Sequence, residues 1–332
     1  MVYEVAWSRA LSLVMGSTIY AFSAMLTTFL IGLALGSFIC AIVVERLRSR
    51  VLLFGLVQIG IGILGYLTLH LLGEVPYLFV RLYQWITFPQ LLTPVISFAM
   101  ALLVMLLPTL MMGTLFPLAI KILQVHLPTF GRLAGDVYAV NTMGAILGAF
   151  CGGFVLIPLF GIQGSALSMV YLNLILGVLL MIIAPRMGQG SSFRTHRLVR
   201  WGLAGATLLL AGSLAAVKPS WNAQIMSTGV FLHLPEHAVQ LGQADRKKFY
   251  QELEKDRELF FYKEGITATI TVERDRLFGL YMRVNGRKEA GERFMRTQAL
   301  IAHIPLIMAQ KPDDVLIIGF GSGATAGSVA QY

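Results

Sequence analysis

The chain has 332 residues, 56% of them apolar and only 13% charged, with a net charge of +9 and a mean hydropathy of +0.73. Soluble domains carry about 25% charged residues, so water is excluded as the solvent for much of this chain and a lipid bilayer is the expected partner. The basic excess lies in the apolar part, where the net charge is +7 before Lys218 against +2 from it onward, so membrane topology accounts for it and no nucleic-acid partner is expected.

A membrane-crossing helix needs about 20 consecutive, mostly apolar residues. Six segments meet that requirement, at 22–44, 51–72, 94–118, 137–159, 162–184 and 199–217, and they define a multi-pass transmembrane domain over residues 1–217. A shorter apolar run at 11–20 reads as the end of a further helix. No cleavable signal peptide is expected, because Glu4, Trp7 and Arg9 interrupt the start and the apolar run is too long. Cys40 and Cys151 stand singly inside apolar runs and read as small packing residues; no metal site is expected.

Glycine recurs at four-residue spacing in Gly144, Gly148 and Gly152, and again in Gly32 and Gly36, a pattern that lets helix backbones approach closely in lipid. A transport pathway would instead need ionisable residues inside the spans, and only Glu4, Arg9 and Asp136 come near them. The connecting segments alternate in charge. Those at 45–50, 119–136 and 185–200 hold nine Lys and Arg together, whereas those at 73–93 and 160–161 hold Arg81 alone. The positive-inside rule then puts the odd connections in the cytoplasm, and the same parity puts everything after the sixth span outside.

From Lys218 the periodicity changes. Residues 244–260 carry charge at helical spacing and read as a solvated amphipathic helix. Strands are expected at 267–273, where Thr267, Thr269 and Thr271 alternate with other residues, and at 280–284. The Asn285-Gly286 pair that follows is a tight-turn signal. Residues 294–304 read as a buried helix, and 315–318 as a short apolar strand suited to the centre of a parallel sheet.

That strand runs into Gly319-Phe320-Gly321-Ser322-Gly323 and a helix-compatible stretch from Ala324. Alternate glycines turn the chain sharply and let backbone N–H groups approach a ligand. The third glycine comes one residue too early for a dinucleotide fingerprint, so the spacing favours an adenosyl-type cofactor. An ordinary glycine-rich loop is the competing reading.

The run 315–323, with His303-Ile304-Pro305-Leu306 and Val284-Asn285-Gly286 before it, resembles the start of a spermidine synthase domain. Upstream, Tyr3-Glu4-Val5-Ala6-Trp7-Ser8-Arg9, Gly113-Thr114-Leu115-Phe116-Pro117-Leu118, Gly131-Arg132 and Tyr138-Ala139-Val140-Asn141-Thr142 resemble the membrane half of fused multi-pass membrane/spermidine-synthase-like proteins. The resemblance implies an α-helical transmembrane bundle followed, at 218–332, by an incomplete α/β domain: a β-hairpin region, then the first strand and helix start of a Rossmann-like methyltransferase fold. It also implies a polyamine aminopropyltransferase-like activity, with decarboxylated S-adenosylmethionine as cofactor, a polyamine as substrate and a bacterial cytoplasmic membrane as location.

By the same resemblance Gly319, Gly321, Ser322 and Gly323 would hold the cofactor. Glu264, Glu289, Glu292 and Gln298 are the candidates for the substrate side, the three carboxylates being suited to an amine. Ser322, Asn285-Gly286, Glu289 and Thr297-Gln298 stand where synthases usually carry Asp, Asp-Gly, Gln and a Tyr-His pair, so the polyamine-binding set is altered. The ribose-binding acid, expected about 20 residues after the glycines, and the family's catalytic Asp would both follow Tyr332, so the given chain is expected to be an inactive fragment. A transporter or membrane scaffold with a ligand-sensing domain is the alternative function, and homo-oligomerisation is left open.

Overall fold

The computed structural model describes residues 1–44, 49–86, 89–124, 130–183, 201–202, 204–207, 209, 211–214, 222–234, 245–255, 257–276, 278–310 and 313–332. The N-terminal helices are α1 (Val2–Met15), α2 (Ile19–Val43), α3 (Arg50–Trp85), α4 (Pro89–Leu123), α5 (Phe130–Phe150) and α6 (Ile157–Ile183), with a π-helical segment, Cys151–Leu156, joining the last two. Among the described residues, four helical stretches are long and apolar enough to cross a membrane: α2, α3, Leu92–Leu123 and Gly131–Ile183, the last interrupted at Gly161. Their outward faces are greasy. Leu30 and Phe38 on α2 and Val140, Met143 and Ile146 on α5 are all more than half exposed, a surface that suits lipid rather than water.

Close helix contact explains one of the two glycine ridges. A Cβ at Gly32 would collide with Thr109 Oγ1, and one at Gly36 with the Leu110 carbonyl, so α2 and α4 can meet only because both positions lack a side chain. The second ridge packs differently. Gly148 and Gly152 lie against Met1 and Val2 at the start of α1, while Gly144 faces open space. Helix α1 itself is wedged into the core, with Ala6, Trp7, Ala10 and Leu11 buried and Trp7 Nε1 donating to Thr68 Oγ1 at 3.1 Å. It ends at Gly16, whose φ of 87° is left-handed, so the apolar run read at 11–20 is split between two helices.

The end of α3 differs from the sequence reading. Helix α3 continues past residue 72 to Trp85, because Val75, Phe79, Val80 and Tyr83 are buried in the core even though Glu74 and Arg81 end the apolar window. The segments expected at 137–159 and 162–184 are both helical, and they are separated at Gly161, whose φ of 73° and ψ of 175° are non-helical, within the short connection expected at 160–161. Within the segment expected at 199–217 the described residues, 201–202, 204–207, 209 and 211–214, are helical; its other positions lie outside the described residues.

The C-terminal part contains α7 (Ala223–Met226), a 3-10 turn at Val230–His233, α8 (Arg246–Glu254), the strands β1 (Arg257–Glu264), β2 (Thr269–Asp275), β3 (Gly279–Val284) and β4 (Arg287–Gly291), a 3-10 turn at Glu292–Phe294, then α9 (Met295–Met308) and α10 (Ala324–Val329). The strands form one antiparallel sheet in the order β1-β2-β3-β4. Asn285 and Gly286 adopt φ of 49° and 80°, the paired left-handed geometry of a two-residue hairpin turn, and so fix the β3–β4 register. The helix expected at 244–260 is shorter than read: from Arg257 the chain pairs with β2 as β1, since Phe261, Tyr262 and Lys263 find ladder partners in Val272, Thr271 and Ile270. The strand expected at 315–318 does not form. Among the described residues no strand lies beside it, and an unpaired strand has no ladder to hold it.

Candidate functional site

Residues 313–323 leave α9 and lead into α10. Gly319, Gly321 and Gly323 have φ of 92°, 57° and 78°, so three left-handed turns alternate within five residues. An L-residue pays about 1–2 kcal/mol in that region. No atom lies within 4 Å of where a Cβ would sit on Gly319 or Gly321, so backbone conformation rather than crowding selects glycine there. The loop, α9 and α10 border a cavity of about 600 Å³ whose walls include Gln298, Ile301, Leu306, Asp314, Phe320 and Ser322. Apolar side chains line much of it, polar atoms share its surface almost equally, and among the described residues Asp314 is the one ionisable side chain there.

A short polar chain ties this loop to the sheet. Ser322 Oγ donates to Gln298 Oε1 at 2.8 Å, Thr325 Oγ1 donates to the Gln298 carbonyl at 3.0 Å, and Gln298 Nε2 donates to the Glu289 carbonyl at 3.3 Å. Gln298 and Ser322, assigned to opposite partners by sequence, are therefore one hydrogen-bonded unit. Asp314 was not singled out as a site residue; its position just before an apolar run that enters a glycine loop is the signal that could have found it.

The three candidate carboxylates lie elsewhere. Glu289 is on the exposed edge of β4, with its carboxylate 3.7 Å from Arg287. Glu292 folds over Gly279, where its Oε2 fills the space a Cβ would take. Glu264 is buried against the N-terminal bundle: its Oε2 accepts the backbone N–H of Ile162 just after the break at Gly161, and its Oε1 accepts the Tyr262 hydroxyl. None of the three lines the cavity.

A second polar cluster faces the other way. On the covered side of the sheet Glu273 and Arg283, each 1% exposed, pair at 3.2 Å. Glu273 also accepts from Tyr281, Thr271 and Ser227, while Arg283 donates to the carbonyls of Thr228 and Gly286. Burial pushes the Tyr281 hydroxyl well above its usual range, although Arg283 opposes the shift. Lys288, 3.9 Å from Asp275 and over the Phe278 ring, is lowered to about 8 by burial first and by Arg283 second. The strand alternation was legible; that its polar set would turn inward was not.

The cavity has the size of a ligand site. Its volume falls in the range of about 300–1,000 Å³ typical of ligand sites. Among the described residues that border it, Asp314 is the one carboxylate and none is basic. Among the described residues, no three His, Cys, Asp or Glu are grouped to hold a metal ion.

No family model matches this chain, and no solved structure matches it. It is 27% identical over 214 residues to Polyamine aminopropyltransferase 1 of Streptomyces coelicolor, a match covering 64% of this chain and 36% of that protein. The chain thus spans about a third of the length of that relative. It is distantly similar to a polyamine aminopropyltransferase, and among the described residues its N-terminal part holds four helical stretches long and apolar enough to cross a membrane.

Proposed function

We propose that this is a membrane-bound, spermidine-synthase-like protein whose full-length form transfers an aminopropyl group from decarboxylated S-adenosylmethionine to a polyamine. The observation that carries the reading is the cavity beside three alternating left-handed glycines, bordered by the carboxylate of Asp314, in a chain distantly similar to an aminopropyltransferase. The bound donor would supply a carbon next to a sulfonium, open to displacement by an amine. Asp314 would offset the positive charge, since a carboxylate beside a cation in a partly apolar site is electrostatically favoured. Ile301, Leu306 and Phe320 would present apolar surface to the same ligand. Gln298 and Ser322 would hold the loop at a fixed distance from α9, and Gly319, Gly321 and Gly323 would let its backbone approach the ligand.

The test is to express the full-length gene and measure labelled aminopropyl transfer and polyamine uptake in the same membrane vesicles. Transfer that is lost in Gly321→Val supports the proposal. Uptake without transfer rejects it in favour of a transporter or scaffold with a ligand-sensing domain, a reading favoured by the distance of Glu264, Glu289 and Glu292 from the cavity.

A further inference from the structure

We infer that the sheet and the glycine-loop cavity lie on the extracytoplasmic side of the membrane. Two independent observations meet here. The first is charge along the chain: nine Lys and Arg in the odd connections against one in the even ones. The second is which ends of the helices the fold brings together.

At one end, Arg50 Nη1 donates to the Lys121 carbonyl at 3.2 Å, which joins the first and third connections. Helices α3 and α6 run antiparallel, with Gly55 against Gly177 and Gly62 against Val170. The C-terminal end of α6, which leads into the arginine-rich stretch at 185–200, therefore lies at this basic end too. At the opposite end lie Gly73, Glu74, Tyr77 and Gly161, which belong to the even connections or border them.

The C-terminal part is docked on that second end. Tyr250 Oη donates to the Gly73 carbonyl at 2.8 Å, Arg246 pairs with Glu74, and the Phe249 ring stands 5.7 Å from that of Tyr77. Glu264 caps the helix restarting at Ile162, and Arg9 of α1 donates to the Ile266 and Gly265 carbonyls at 2.6 and 2.9 Å. From Arg50 to Gly73 helix α3 rises about 35 Å, enough to cross a hydrocarbon core of about 30 Å, so the two ends face opposite sides. The basic residues of α8 do not count against this placement, because large domains translocate regardless of their charge.

One consequence rests on the proposed aminopropyl transfer. A sulfonium or ammonium ligand does not cross hydrocarbon unaided, so a site on this side needs a preceding transport step to supply any donor made in the cytoplasm. The sidedness itself does not depend on that reaction.

The experiment uses the full chain in spheroplasts, with Cys40 and Cys151 replaced by Ser and one new cysteine at an exposed position, either Lys247→Cys on α8 or Arg132→Cys at the basic end. A membrane-impermeant maleimide is expected to label Lys247→Cys as fully in intact spheroplasts as in detergent, and Arg132→Cys only after permeabilisation. Protection of Lys247→Cys in intact spheroplasts with full reactivity in detergent overturns the inference. Equal labelling of both sites before permeabilisation overturns it as well, because it removes the separation of the two ends. A missing transferase activity leaves this result untouched, so the two proposals fail separately.

Discussion

Replacing Arg283 by Met should loosen the sheet. The guanidinium is 1% exposed and binds Glu273 at 3.2 Å, the Thr228 carbonyl at 2.7 Å and the Gly286 carbonyl at 3.0 Å. Its loss strands a buried carboxylate and two buried carbonyls. Removing one partner of a buried ion pair costs about 3–5 kcal/mol. The lower end applies here, since Glu273 keeps the hydroxyls of Tyr281, Thr271 and Ser227 and has Arg257 nearby. A loss of about 3 kcal/mol corresponds to roughly a hundredfold faster opening. Hydrogen exchange in detergent, read on the β2 and β3 amides with α3 as internal reference, measures it directly. The double variant Glu273→Leu/Arg283→Met should recover most of the protection, because apolar replacement of a whole buried pair is often close to neutral. An Arg283→Met protein that exchanges like the parent, or a double variant as labile as both single losses combined, would refute the reasoning.

Three further outcomes are expected. Gly161→Ala should destabilise the contact between bundle and sheet by about 1–2 kcal/mol from its left-handed backbone alone, and by more because the added Cβ would sit 2.7 Å from Glu264 Oε2; faster limited proteolysis near residue 265 checks this. Lys288 should titrate with a midpoint of about 8 by carbon-13 detection of labelled lysine. Since its folded value lies below the unfolded one, the folded protein releases this proton first, so the group's contribution to stability rises from pH about 8 to about 10.4 and is flat below that window. Gln298→Ala should raise hydrogen exchange of residues 319–325 without changing that of α3, because it removes the acceptor of Ser322 and the donor to Glu289.

Legibility of the sequence followed the range of the forces involved. The hairpin turn at Asn285-Gly286 and the three left-handed glycines were readable because a single residue's φ preference decides them. The boundary of α8 was not, since charge at helical spacing continues through Glu258 while β1 takes its partners from β2, a contact between separate segments. The end of α3 escaped for a similar reason: hydropathy stops at Glu74, but burial of Val75 and Phe79 depends on what packs over them. The cavity was half legible. Its glycines and Gln298 were named from sequence, whereas the separation of Glu264, Glu289 and Glu292 from it depends on sheet edges and on α6.

The sequence by itself determined that long apolar helices precede a charged, strand-forming region, and that arginine alternates between their connections, because hydropathy and charge are properties of each residue wherever it lies. Only the tertiary structure decided which connections share an end of the bundle, that Glu264 caps α6 rather than facing the cavity, and that the sheet hides its polar side. Those outcomes depend on contacts between residues far apart in the chain, such as Ile162 with Glu264 and Thr228 with Arg283, and no local preference of either partner encodes its meeting with the other.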